Sequence, residues 1–126
     1  MDIQTWQPLS QLAKIRERVS QISHRAGWSP AADWFASEED LLLVLDAPGL
    51  DLSMLELSHD GNTITIEGSR ENLDYGERLH GERPLGSFSR VFELPHPVET
   101  GSGVAQYRAG QLEVRFRRLG RTIDVG

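Results

Sequence analysis

The hydrophobic period of this chain changes between Pro30 and Asp33. Before the change, Leu9, Leu12, Ile15, Val19 and Ile22 recur at spacings of three and four, which predicts a helix with one apolar stripe. Lys14, Arg16, Glu17 and Arg18 fall mostly off that stripe. Pro8 suits a first helical turn, and Gly27 with Pro30 closes the segment. Residues 1–30 therefore read as an arm. Its stripe either docks on the chain's own core or stays exposed to join other chains.

From Asp33 the apolar positions alternate, and the expected element becomes the strand. Asp33–Ala36 is a short strand, and Glu38-Glu39-Asp40 is a polar turn. Leu41–Asp46 is apolar enough to lie between two layers, and Pro48-Gly49 closes it. Leu55–His59 and Thr63–Glu67 alternate on either side of Asp60-Gly61-Asn62, which predicts a hairpin. Ser69–Gly86 is long, charged and punctuated by glycine, with one apolar centre around Tyr75 and Leu79. Ser87–Leu94 is a further strand, stopped by Pro95-His96-Pro97. The last pair begins at Val104, turns at Ala109-Gly110, and ends with Leu112, Val114 and Phe116 facing one way and Glu113, Arg115 and Arg117 the other. Short strands with turns every ten or so residues predict an all-β fold, an immunoglobulin-like antiparallel β-sandwich. There is no β-α alternation, internal repeat or low-complexity tract.

Charge sharpens this picture by region. The net of −6 divides into +2 over residues 1–30, −11 over 31–82 and +3 over 83–126. An acidic front against a basic back fits complementary strands in one sheet or complementary subunits, with a solvated outer face as the plainer reading. A net-acidic surface argues against nucleic acid as a partner. No apolar run approaches the roughly 18 residues of a membrane span, and the N-terminus lacks the plan of a secretion signal. With no cysteine there is no disulfide, cysteine zinc site or thiol catalysis, which suits a reducing cytoplasm. His24, His59, His80 and His96 are scattered, and neither a phosphate loop nor a nucleophile elbow occurs. No enzyme, cofactor or metal is expected. Trp6, Trp28 and Trp34 read as core or subunit-contact anchors.

Several local patterns fall in a fixed order. They are Asp46-Ala47-Pro48-Gly49-Leu50, then Asn62–Arg70 ending in Gly68-Ser69-Arg70, then Glu82-Arg83 with Gly86-Ser87-Phe88-Ser89-Arg90 and Leu94-Pro95. Last comes Ala105 five residues before Gly110, with Leu112 two further on. In this order they resemble the α-crystallin domain of the small heat-shock proteins, bacterial type, over residues 31–118. The tail, residues 119–126, contains Ile123-Asp124-Val125, which is similar to that family's C-terminal Ile-x-Ile/Val motif.

The resemblance implies an ATP-independent holdase chaperone that binds partly unfolded proteins under stress and assembles as a homodimer or larger oligomer. It implies that the Arg70–Gly86 loop carries a strand, Tyr75 to Leu79, which pairs with a partner's sheet. Arg90, on one face with Phe88 and Phe92 by alternation, would meet Glu77 or Glu82 of the partner. Client capture falls to Leu9, Leu12, Ile15, Val19 and Ile22. A groove at Leu55 and Leu57, facing Val104, would take Ile123 and Val125. The family's Leu-Pro-Lys after the last strand is replaced by Arg117-Arg118-Leu119-Gly120. The short linker reaches only about 14 Å, so a tail that bridges subunits and one that caps its own groove both remain open. The alternative function is a monomeric sandwich module, similar to co-chaperones of the large ATP-driven chaperones. Those lack the long loop and the Ala/Gly/Leu turn element.

Overall fold

The computed structural model describes residues 4–12, 28–70 and 74–120. Among the described residues, eight strands run in chain order: β1 Gln7–Pro8, β2 Ala32–Ala36, β3 Asp40–Asp46, β4 Glu56–Asp60, β5 Thr63–Ser69, β6 Ser87–Glu93, β7 Val104–Arg108 and β8 Gln111–Arg117. They form a five-stranded sheet of order β1-β7-β8-β3-β2 and a three-stranded sheet of order β4-β5-β6, with every pairing antiparallel. The all-β sandwich expected from alternation is present, and its strands fall where the turn residues bracket them.

The central ladder shows why alternation was a reliable guide. β3 and β8 pair so that Leu41 faces Phe116, Leu43 faces Val114 and Leu45 faces Leu112. All six are buried, while Leu42, Val44 and Arg115 between them are only partly covered. A slip of one residue would send this apolar set outward, so the register is fixed by burial. Leu55, Leu57, Ile64, Ile66, Phe88 and Phe92 close the core from the other sheet.

The β7–β8 turn, at Ala109-Gly110, has positive φ at both residues (53° and 74°), as a two-residue hairpin matched to strand twist requires. Gly110 also packs beside Pro48: a Cβ there would lie 3.3 Å from the proline ring. The Gly110 carbonyl accepts from Ala47 N at 2.9 Å, and the Tyr107 hydroxyl donates to the Ala47 carbonyl at 2.7 Å. The turn therefore fastens the Pro48-Gly49 corner. Two landmarks far apart in sequence form one piece of packing.

The helix expected from Leu9 onward does not form over the described part of the arm. Gln7 and Pro8 pair with Ala105 and Val104, and Leu9–Gln11 make a single 3-10 turn. Pro8 is extended (φ −60°, ψ 144°), and Leu9 N donates to the Gly103 carbonyl, a bond to another strand instead of to a helix. Ile15, Val19 and Ile22 lie outside the described residues, as do Ile123 and Val125.

Candidate functional site: the two edges of the sandwich

A sheet of unequal width leaves two edges where partners can add. At one edge, β4 ends the three-stranded sheet opposite β7, and residues 7–12 lie in the groove between them. Leu9 N donates to the Gly103 carbonyl at 3.2 Å, and the Leu12 carbonyl accepts from Leu57 N at 3.4 Å, so the segment stitches one sheet to the other. Leu9 and Leu12 are 7% and 0% exposed, which corrects their expected place on an open, client-facing stripe: both belong to the core. Leu55 and Leu57 are equally buried beneath them. Val104 is a second correction. It pairs with Arg115, on the sheet's outer face, while Ala105 turns inward opposite Val114. A cleft of about 530 Å³ remains beside the segment, lined in part by Pro8, Leu9, Leu57, His59, Val98 and Gly103. The His59 ring stands edge-on to Phe116 at 4.9 Å.

At the opposite edge, β2 and β6 end their sheets beside the Arg70–Gly86 loop. Aromatic rings tie the edge together: Trp34 meets Phe92 at 6.2 Å and Trp28 meets Phe88 at 5.2 Å, both edge-to-face. Arg70 lies over Trp28, whose indole N–H donates to the Gly86 carbonyl at 2.9 Å. Arg90 shares a face with Phe88 and Phe92, as alternation predicts. Its Nη1 donates to the Pro30 carbonyl at 2.6 Å, and its guanidinium lies 4.6 Å from the Phe92 ring centre.

The loop itself contributes no strand within the chain over residues 74–86. Tyr75 and Leu79 are 79% and 86% exposed, and Phe35 on β2 is 53% exposed. Glu77 and Glu82 are also exposed, and Glu82 accepts from His80 at 2.8 Å. Large apolar side chains left in water beside an unpaired sheet edge mark a surface made to be covered.

One ion pair among the described residues, Glu39 with Arg117, joins the acidic and basic regions. Glu39 lies 3.7 Å from Arg117, Gln111 donates to Asp46 at 3.2 Å, and the buried Glu113 carboxylate accepts from Gln106 at 2.6 Å and from Arg108 at 3.3 Å. The exposed Glu39–Arg117 pair contributes little. The Glu113 cluster satisfies a carboxylate that burial would otherwise penalise. Among the described residues, no three histidine, aspartate or glutamate side chains converge as a metal site.

Residues 33–124 match the sequence pattern of the Hsp20/alpha crystallin family. The chain belongs to that family. An 18 kDa antigen of Mycobacterium leprae is 30% identical over 108 residues, covering 85% of this chain and 72% of its own. Small heat shock protein C4 of Rickettsia felis is 32% identical over 92 residues, covering 70% and 56%. Among solved structures, a small heat-shock protein from Xylella fastidiosa superposes with a TM-score of 0.65 at 28% identity, over 80% of this chain and 99% of that one. The Hsp20 family is one of chaperones and not of enzymes.

Two parts of these edges escaped the sequence reading. The groove-filling segment was hidden because Leu9 and Leu12 fit a helical stripe equally well. The extended bias of Gln7 before Pro8 was the available signal. The Trp28–Pro30 clasp on β6 joins residues about sixty positions apart, and no local pattern announces such a contact.

Proposed function

We propose that this protein is an ATP-independent holdase of the cytoplasm, assembled as a homodimer or larger oligomer through its β2/β6 edge. The observations that carry the reading are Tyr75 and Leu79, exposed on the charged loop that joins β5 to β6, and the edge of β2, which pairs only with β3 among the described residues. A loop strand laid on a partner's β2 would cover both side chains and supply the missing ladder bonds. Arg90 faces the same edge. A guanidinium has five donors, so the bond to Pro30 leaves capacity for Glu77 or Glu82 of a partner. Arg90→Ala is expected to cost about 2 kcal/mol of stability through the lost charged hydrogen bond and ring contact. It is also expected to weaken the dimer. Urea unfolding and native mass check both effects, and a variant as stable and as dimeric as the parent contradicts them.

Client capture requires apolar surface that tolerates many sequences. Ile15, Val19 and Ile22 are the proposed contacts, Leu9 and Leu12 being committed to the core. Heated with a thermolabile client and no nucleotide, the protein is expected to elute with that client in a soluble complex of high mass. Client that precipitates while the protein elutes alone counts against the holdase. No described helix is long and apolar enough to cross a membrane.

A further inference from the structure

We propose that the outer face of the five-stranded sheet is a second contact between copies of this chain, one that joins dimers already formed at the β2/β6 edge. It rests on the edge contact proposed above. Pairing along β2 lies in the plane of the sheet and leaves the outer face open.

Register builds this face. Phe35, Leu42, Arg115, Val104 and Pro8 are successive partners from β2 to β1, a single row across all five strands. Asp33, Val44, Glu113 and Gln106 form the row beside it. Leu41, Leu43 and Leu45 point into the core, so both rows point away from it. A solvated outer face would be polar at such positions. Here Phe35 is more than half exposed, and Leu42, Val44 and Val104 are only partly covered. The apolar row is interrupted by Arg115, whose guanidinium lies 4.4 Å from the Trp6 ring centre.

The same face carries its own complement in charge. Beside Phe35 lies a hollow of about 340 Å³, lined in part by Asp33, Val44, Asp46 and Glu113. Two of its three carboxylates are answered within the chain, Asp46 by Gln111 and Glu113 by Gln106 and Arg108. Asp33 is exposed and makes no ion pair among the described residues. Nor does Arg115, two strands away. A partner of one charge would be drawn to one of these residues and repelled by the other.

A second copy satisfies both. Turned over about a two-fold axis along β3, it lays each β8 across the other copy's β2. Each Arg115 then meets Phe35 and Asp33 of the other copy, a ring and a carboxylate that both favour a guanidinium. Leu42 and Val44 meet their own counterparts on the axis. Glu113, which this turn brings toward Asp33, is already paired with Arg108. The contact is small. Three strands of five to seven residues cover roughly 15 by 20 Å, short of the roughly 800 Å² per partner of a stable dimer. It therefore holds only where an edge dimer offers two such faces at once, and a chain without the edge contact stays a monomer.

The test measures native mass by light scattering on the full chain, with Asp33→Arg and Arg115→Asp as separate variants. Each alone sets like charges against each other across the face. Each is expected to stop at a dimer and so lose at least half of the parental mass. Mixed in equal amounts, the two variants are expected to regain that mass, because each copy then supplies the charge that the other lacks. A contact within one chain cannot give recovery on mixing. A parent no larger than a dimer, or a mixture no larger than its components, overturns the proposal and leaves the edge dimer standing. A monomeric parent overturns the edge contact as well. Single variants of parental mass overturn the second copy, and if they no longer hold a heated client the face belongs to clients. Should a charge reversal reduce the β-rich circular dichroism, Leu42→Lys decides in its place: arrest at a dimer supports the face, and parental mass overturns it.

Discussion

Replacing residues 72–80 with a short Gly-Ser link is expected to convert the assembled protein into a monomer. Tyr75 and Leu79 stand almost wholly in water, and residues 74–86 form no strand on their own subunit. In an exchanged arrangement each loop would bury two large side chains, each contributing about 1.5–3 kcal/mol. It would also add several ladder bonds of about 1 kcal/mol each. Part of this gain is offset by ordering the loop. A net loss of several kcal/mol on excision corresponds to roughly a thousandfold weaker association. Light scattering reads the result as native mass. The sandwich core should be unaffected, because no described residue of the excised segment belongs to it. An assembly of unchanged mass would place the subunit contact elsewhere.

Leu12→Ala is expected to destabilise the folded domain by about 3 kcal/mol, the scale of a large-to-small core substitution. Leu12 is fully buried, and its carbonyl is bonded to β4. On an exposed helical stripe the same change would stay within about 0.5 kcal/mol. Urea unfolding separates the two outcomes. The segment adds a further expectation. If residues 7–12 detach as a unit, no substitution within them can cost more than the free energy of detachment. The losses from Leu9→Ala and Leu12→Ala should therefore fall short of adding in the double variant. Full additivity would mean that the segment opens only when the whole sandwich does.

Legibility from sequence followed the range of the interactions involved. Strands β2 to β8 were visible because each alternates between a buried and an open face, and Gly, Pro and Asp residues punctuate them. Leu41, Leu43 and Leu45 could be placed inside before any partner strand was known. The Ala105, Gly110 and Leu112 element was visible as a pattern. Its physical reason, the meeting of Gly110 and Tyr107 with the Ala47-Pro48 corner, needed the fold. Segment 7–12 was misread for a different reason. Leucines three apart satisfy a helical stripe and a 3-10 turn alike, and tertiary capture by Gly103 and Leu57 settled the matter. Val104 went wrong by parity: one step along β7 exchanges the groove side for the outer face. Arg90 was placed on the correct face, yet its partner within the chain, the Pro30 carbonyl, lies sixty residues away.

The most direct measurement of the chaperone reading is light scattered by several unrelated thermolabile clients heated with the intact protein in molar excess and with nucleotide removed. A holdase should delay or suppress the rise in scattering for most of them, and adding ATP should change nothing. Scattering that rises for every client as fast as in its absence would contradict the reading.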